Sequence, residues 1–332
     1  MQTTLPVVAP PAVYGFQFYA FPLAIVGTIP GSDDWVLSNF IQLAFDRSPG
    51  SPVPMCFYLY DYAENPWLET MRITPEWLSM VHPEEHIIKF IRTQLSQGFY
   101  VYLNVDEFYI EDREMHEQEH HSHDILVHGI DDREGTLNVL GYDSKFQFRS
   151  TKVRQNSFAR AYKSHRAMDA DCQQLYCYRP RREVDYPLDR SLIRRSLIEY
   201  LKGDNTSKHF AMLRRPWERD YGLRVYDGLQ ATLEAFIAGD TPGDLRSLHV
   251  LWEHKRLMSR RLRRISSGEE ALELICEAEA LERWASALRM GMLRYQMHPS
   301  GSRFRQAVES LPELREADAA FVSRLIALPE LH

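Results

Sequence analysis

His123 and Asp143 are the residues of this chain whose types and spacing best suit proton transfer. His123 opens an apolar run, Ile125 to Ile130. The turn Asp131 to Gly135 closes it, and a second run, Leu137 to Tyr142, delivers Asp143. If the two runs pair as an antiparallel hairpin, an imidazole stands at the mouth of one strand and a carboxylate at the end of its neighbour. Such a carboxylate fixes the imidazole tautomer and stabilises the imidazolium that forms on proton uptake, so the pair has the makings of a general base and its orienter. The bland alternative is a structural histidine and a turn aspartate.

Other residues extend or compete with this pair. The turn Pro30 to Asp34 has helix-starting chemistry, because Ser and Asp side chains accept from the free amides of a first turn. Ser32 is either a nucleophile or a cap; Asp33 and Asp34 are either reactive carboxylates or the acidic residues that favour a helix N-terminus. Asp106 and Glu107 end a further strand and can meet a substrate amine, or are a solvated strand end. His116, His120, His121 and His123 crowd one segment with Glu114, Glu117 and Glu119. No helical i, i+4 spacing is sustained there, so a solvated acidic loop is expected rather than a metal site. Cys56, Cys172, Cys177 and Cys276 have no paired metal spacing. They read as reduced thiols of a cytoplasmic protein, with Cys56 a small apolar residue in a strand. His249 and Glu253 are i, i+4 on one helix and read as a helix-surface hydrogen bond. Arg179 to Arg182 and the pairs Arg260-Arg261 and Arg263-Arg264 form local basic patches.

The elements that must position these groups change character near residue 180. The chain has 332 residues, enough for two domains. Its net charge of −7 argues against a nucleic-acid binder. No apolar run approaches the ~20 residues of a membrane span, and no secretory leader is expected. Before residue 180 the pattern is mixed. Phe16 to Ile29 and Pro54 to Tyr62 read as strands. Trp35 to Ala44 reads as a helix, Pro75 to Trp77 starts a short one, and Glu84 to Gln97 is amphipathic. Strands follow over 99–105, 125–130 and 137–142, then 146–149; Phe158 to Tyr162 is a short helix and Leu175 to Tyr178 a closing strand. Beyond Arg179 everything reads as helical: Leu192 to Leu201, Leu223 to Ile237, Leu245 to Ile265, and a long helix capped by Ser267 and Glu270. Leu274, Ala278, Leu281, Ala285, Leu288, Met292 and Tyr295 form a heptad-like seam on that helix. It serves an internal bundle, or a homodimer through the helical domain.

Gly98 to Tyr109, His123 to Asp131 and Gly141 to Asp143, continued by Phe158 to Tyr162, resemble the butirosin biosynthesis protein H family. Trp35 to Leu43 and Leu245 to Lys255 resemble a divergent branch found near nonribosomal peptide enzymes. The resemblance implies an α+β fold: a papain-like domain with an antiparallel sheet over residues 12–180, then an all-helical domain over 185–332. It implies transfer of an acyl or peptidyl group from a carrier-protein thioester to a small amine, with no metal and no cofactor. The basic patches, read from their charge, either meet an acidic carrier protein and its phosphopantetheine arm or are an ordinary solvated face. The family's nucleophilic Cys falls within Ser32 to Trp35 in this sequence, and no cysteine is there. The expected site is therefore His123 as base, Asp143 as orienter, and Ser32 and Asp34 as the positioning turn. Asp106, Glu107, Asn39 and Tyr109 would contact substrate. A catalytically silent scaffold of an assembly line and an amide or thioester hydrolase are the alternatives.

Overall fold

A computed structural model describes residues 2–48, 50–81, 87–168, 173, 175–181, 183–266, 268–299 and 302–331. In chain order its elements are β1 (Gln2–Thr4), α1 (Gln17–Val26), α2 (Asp33–Asn39), β2 (Leu43–Phe45), β3 (Met55–Phe57), β4 (Leu68–Ile73), α3 (Pro75–Val81), α4 (Ile87–Ser96), β5 (Tyr100–Asp106), β6 (Ser122–Asp131), β7 (Thr136–Tyr142), β8 (Phe148–Arg154), α5 (Gln155–Arg166) and β9 (Leu175–Pro180). There follow α6 (Arg190–Lys202), β10 (Asp220–Tyr221), α7 (Val225–Ala238), α8 (Arg246–Ile265), α9 (Glu269–Met297), α10 (Ser302–Glu309) and α11 (Leu311–Ile326).

The chain divides into two compact units, Met1–Ser32 with Asp61–Asp185, and Asp33–Tyr60 with Tyr186–His332. The first unit is built on an antiparallel sheet in the order β4-β9-β5-β6-β7-β8, with β1 paired to β6. The expected strands over 99–105, 125–130 and 137–142 are adjacent in it. Alternation along β5 sorts the two faces, since successive side chains of a strand point to opposite sides. Val101, Leu103 and Val105 join Phe90 and Ile91 of α4 and Phe158 of α5 in one core. On the other face Tyr102 stacks on Tyr176 at 5.5 Å, and Phe21 of α1 meets its ring edge-on at 5.1 Å.

That helix corrects the sequence reading, which had Phe16 to Ile29 as a strand. Tyr19 to Val26 are buried without interruption. A segment covered on all sides shows no polar face, so its period cannot be read from hydropathy, and its length is the better guide.

The second unit takes in the segment 33–60, which a contiguous division at residue 180 had assigned to the first. Side chains of α8 hold it. Arg264 makes a two-pronged ion pair with Asp34 at 2.8 Å, Arg260 reaches Asp33 at 3.1 Å, and Arg261 donates to the carbonyls of Leu37 and Phe40. The unit is not all-helical either: β10, β2 and β3 form a small antiparallel sheet. A two-residue strand such as β10 is too short to leave an alternation in the sequence. The heptad-like seam of α9, from Leu274 to Tyr295, is buried inside this unit rather than presented to a second copy. Gly268 stands at the N-cap position of α9. The proposed cap Ser267 and the side chain of Glu270 lie outside the described residues, as does Cys172. Among the described residues, no helix is long and apolar enough to cross a membrane.

Candidate functional site

Register between β5 and β6 sets the site. Val105 lies opposite His123 and Asp106 opposite Ser122. The chain leaves β5 at Asp106 and turns at once, so Glu107 is carried back toward the mouth of β6. There its Oε1 lies 3.0 Å from His123 Nδ1. The amide of Gln17, the first residue of α1, lies 3.2 Å from the same nitrogen. One ring nitrogen cannot donate to one group and accept from the other. The carboxylate only accepts, so the proton resides on Nδ1 and points at Glu107. Gln17 Nε2 instead donates to Asp124, at 3.0 Å to its carbonyl and 2.8 Å to its carboxylate. His123 Nε2 is 3.8 Å from Asp124 Oδ1, beyond hydrogen-bond range. The ring thus has Nδ1 anchored and Nε2 without a hydrogen bond among the described residues, with 39% of its side-chain surface exposed.

The charges around it are biased toward the imidazolium. Burial disfavours the protonated ring, but the hydrogen bond it donates to Glu107 and the charges of Asp124 and Glu107 outweigh it, and the His123 pKa is raised. Burial pushes the Glu107 carboxyl up; the His123 hydrogen bond and the positive charges of His123 and Arg113 overcome this and hold it below the usual range. Arg113 is itself buried and donates to the Tyr142 carbonyl, while the Tyr142 amide donates to Gln17 Oε1 at 3.0 Å. Two side chains thereby clamp one residue of β7 from both ends. The clamp needs glycine at position 141, because a Cβ there would come within 2.7 Å of Gln17 Oε1 and 3.1 Å of Arg113 Nη2.

Asp143 is not the orienter of His123. Its carboxylate takes the amides of Lys145 at 2.8 Å and Gln147 at 2.9 Å, and pairs with Arg149. It is the turn aspartate of the β7–β8 hairpin. The β6–β7 hairpin forms as read, but the carboxylate beside the imidazole comes from the opposite neighbour, β5. Asp106 is buried and fully engaged, accepting from His120 Nδ1 and Ser164 Oγ at 2.6 Å each and from the amides of His121 and Phe108. It straps the segment 107–121 and has no lone pair left for a substrate. Tyr109 lies under the guanidinium of Arg160 at 4.6 Å.

Ser32 donates its hydroxyl to the Val26 carbonyl at 2.8 Å and is buried, which suits a turn-closing residue and not a nucleophile. Asp34 and Asn39 belong to the second unit; Asn39 donates to the Trp35 carbonyl at 2.9 Å and to Tyr186 at 3.2 Å. The basic residues of α8 are engaged as well. Arg263 pairs with Glu279, Arg261 is fully buried, and Arg260 and Arg264 hold α2, so this patch is not a free cationic face. Among the described residues, no three His, Cys, Asp or Glu side chains are grouped to hold a metal ion.

Of the expected residues the structure therefore joins His123 and Glu107. It adds Gln17, Asp124 and Arg113. Gln17 carried a usable signal, being the one carboxamide in a run, Phe16 to Val26, that is otherwise apolar or aromatic. Arg113, one charge in a charged loop, carried none. No known protein family matches the chain, and no curated protein does.

Proposed function

We propose that the first unit is a papain-like, butirosin H-like domain that carries out acyl or peptidyl transfer from a carrier-protein thioester to an amine by general-base catalysis. The observation that carries this reading is the His123 ring, with Nδ1–H held by Glu107 and Nε2 left open at a part-exposed edge. Nε2 takes the proton of the attacking amine, Glu107 stabilises the imidazolium, and the same proton passes to the departing thiolate. No covalent acyl-enzyme is required, since aminolysis of a thioester needs a base and good positioning. The helix start beside His123 bears Gln17, whose carboxamide is not a nucleophile. The acceptor is a small amine, and the donor is carried on a phosphopantetheine arm. Water in place of the amine would give the hydrolase.

Gln17 also favours a second reading, a catalytically silent partner of an assembly line. Its amide is fixed to Asp124 and Tyr142 at the place where a nucleophile would be useful.

Mass spectrometry of carrier-bound thioesters incubated with the protein and an amine separates the two. Wild type should form the amide, and His123→Ala should slow it by about 10²–10⁴-fold. Circular dichroism should show both proteins folded. Alkylation should leave turnover intact, because among the described cysteines Cys56 and Cys177 are buried and the exposed Cys276 lies in the second unit. Equal product from wild type and His123→Ala, or none from wild type, would leave the silent partner standing.

A further inference from the structure

Among the described residues, three non-glycine residues have positive φ: Asp112 at 61°, Glu117 at 56° and Phe146 at 56°. All three fall in the two segments that border the His123 site. Asp112 and Glu117 lie in the segment that begins at Glu107. Phe146 lies at the tip of the β7–β8 hairpin, four residues past the clamped Tyr142. An aspartate visits this region readily, but a bulky aromatic residue there is an outlier with a conformational cost. Phe146 gains no burial in exchange, since 65% of it is exposed.

The tip is built to hold that conformation. The Phe146 amide donates to the Asp143 carbonyl at 2.9 Å, and the Asp143 amide to the Gln147 carbonyl at 3.0 Å. The Asp143 carboxylate takes two further amides of the turn. Ser144 donates through its amide and its hydroxyl to Asp112, at 3.0 Å each, and Arg149 joins Asp112 to Asp143. The turn bearing Phe146 is thereby tied to the segment bearing Glu107. Its root, Tyr142, is held by Gln17 and Arg113. Strain that persists because its surroundings over-determine it gathers at functional sites.

We propose that Phe146 is a recognition residue of the His123 site, its ring packing against an apolar acyl chain of the donor. The inference rests on the acyl-transfer reading and adds the chemical class of the acyl group. A chain of several methylenes gains affinity in proportion to the apolar surface it covers, and a short one has nothing to offer the ring.

The experiment is calorimetric titration of the whole protein with octanoyl- and acetyl-N-acetylcysteamine thioesters, in wild type and in Phe146→Asn. Asparagine accepts positive φ, so the variant keeps the turn and loses the ring. Wild type should bind the octanoyl ester about tenfold more tightly than the acetyl ester. In Phe146→Asn that ratio should shrink to about threefold or less, with acetyl binding unchanged. The unfolding midpoint should stay level or rise by about 1–3 °C as strain is relieved. A variant that keeps the wild-type ratio overturns the role of Phe146 and leaves the acyl-transfer reading intact. A midpoint lowered by more than about 5 °C would make the ring a packing element and overturn the proposal likewise. If neither ester binds wild type, the acyl-donor reading falls and this one with it.

Discussion

In the second unit Lys255 Nζ lies 2.5 Å from Asp318 Oδ2, and the hydroxyls of Tyr200 and Tyr226 reach the same oxygen at 2.6 and 3.1 Å. Lys255 and Asp318 have no exposed side-chain surface. His254 is buried beside them, its ring stacked on Tyr200 at 4.8 Å and its Nε2 donating to the Ile41 carbonyl at 2.9 Å. Burial, and then the charges of Lys255 and Arg261, push its pKa well down, so this imidazole is neutral. In the first unit Glu107 also receives a nitrogen donor, yet the imidazole it holds is part-exposed and its Nε2 makes no hydrogen bond among the described residues. Both regions bury carboxylates. One gathers its donors on a single buried oxygen and joins four helices; the other leaves Nε2 of a part-exposed ring without a hydrogen bond among the described residues. The open atom, more than the burial or the shifted pKa, marks chemistry.

The comparison breaks most visibly at Asp318. Truncation to alanine leaves the Lys255 ammonium without its counter-charge in a dry interior, which costs about 3–5 kcal/mol. Urea unfolding should show the second unit lose that much, whereas His123→Ala, at a part-exposed edge, should move the first unit far less. A small loss at Asp318→Ala would mean that the cluster is not the closed electrostatic core described, and the contrast between the two regions would dissolve. Replacing both charges together, Lys255→Met with Asp318→Leu, should recover part of the loss, since no unpaired charge is left, although the buried hydroxyls of Tyr200 and Tyr226 lose their acceptor.

A second test sharpens the comparison at Glu107. Its carboxylate raises the His123 pKa, so Glu107→Gln should move the His123 titration to lower pH, observable by NMR of the ring protons. The sign carries into stability. His123 has a raised folded pKa, so its contribution is complete below about pH 6.5 and fades as pH rises through the folded value. Glu107 has a lowered folded pKa, so its contribution is present above about pH 4.3 and fades as pH falls through its folded value. The pair therefore supports the fold best between about pH 4.3 and 6.5, and Glu107→Gln should flatten that maximum. Activity should run the other way, rising with pH as His123 loses its proton. An unmoved His123 titration would remove Glu107 from the base.

What the sequence made legible follows from what each signal depends on. Short runs of β-branched and aromatic residues exposed β5, β6 and β7, and the antiparallel order of β6 and β7 followed from a short Asp-Gly turn. The amphipathic helices α4 and α8 announced themselves by their period. Helix α1 did not, because burial on every side erases the period, and β10 did not, because two residues have none. The base, His123, was legible as a polar residue at a strand mouth. Its partner was misassigned because both neighbouring strands end in a carboxylate, and spacing along the chain cannot say which of them turns back. Asp143 begins a tight turn whose own amides claim it; Glu107 follows a strand whose turn swings it toward the ring. Ser32 was misread for a related reason. The turn chemistry at residues 30–34 is real, but the helix beside His123 starts sixteen residues earlier, in a run that looked like a strand.

The smallest expected effect decides between these two carboxylates. Asp143→Asn keeps an oxygen for the amides of Lys145 and Gln147 and surrenders only the charge that faces Arg149, a side chain 45% exposed. A pair open to water on one side contributes little, so the hairpin should persist. His123 donates no hydrogen bond to Asp143, so its NMR titration should overlay that of wild type, in contrast to the displacement in Glu107→Gln. Amide formation should follow the same order, nearly unchanged in Asp143→Asn and reduced in Glu107→Gln. If Asp143→Asn displaced the His123 titration as far as Glu107→Gln does, the β7 carboxylate would be the orienter after all. The turn geometry that assigns Asp143 to its own hairpin would then describe a resting arrangement, and the reading of the site built on Glu107 would have to be given up.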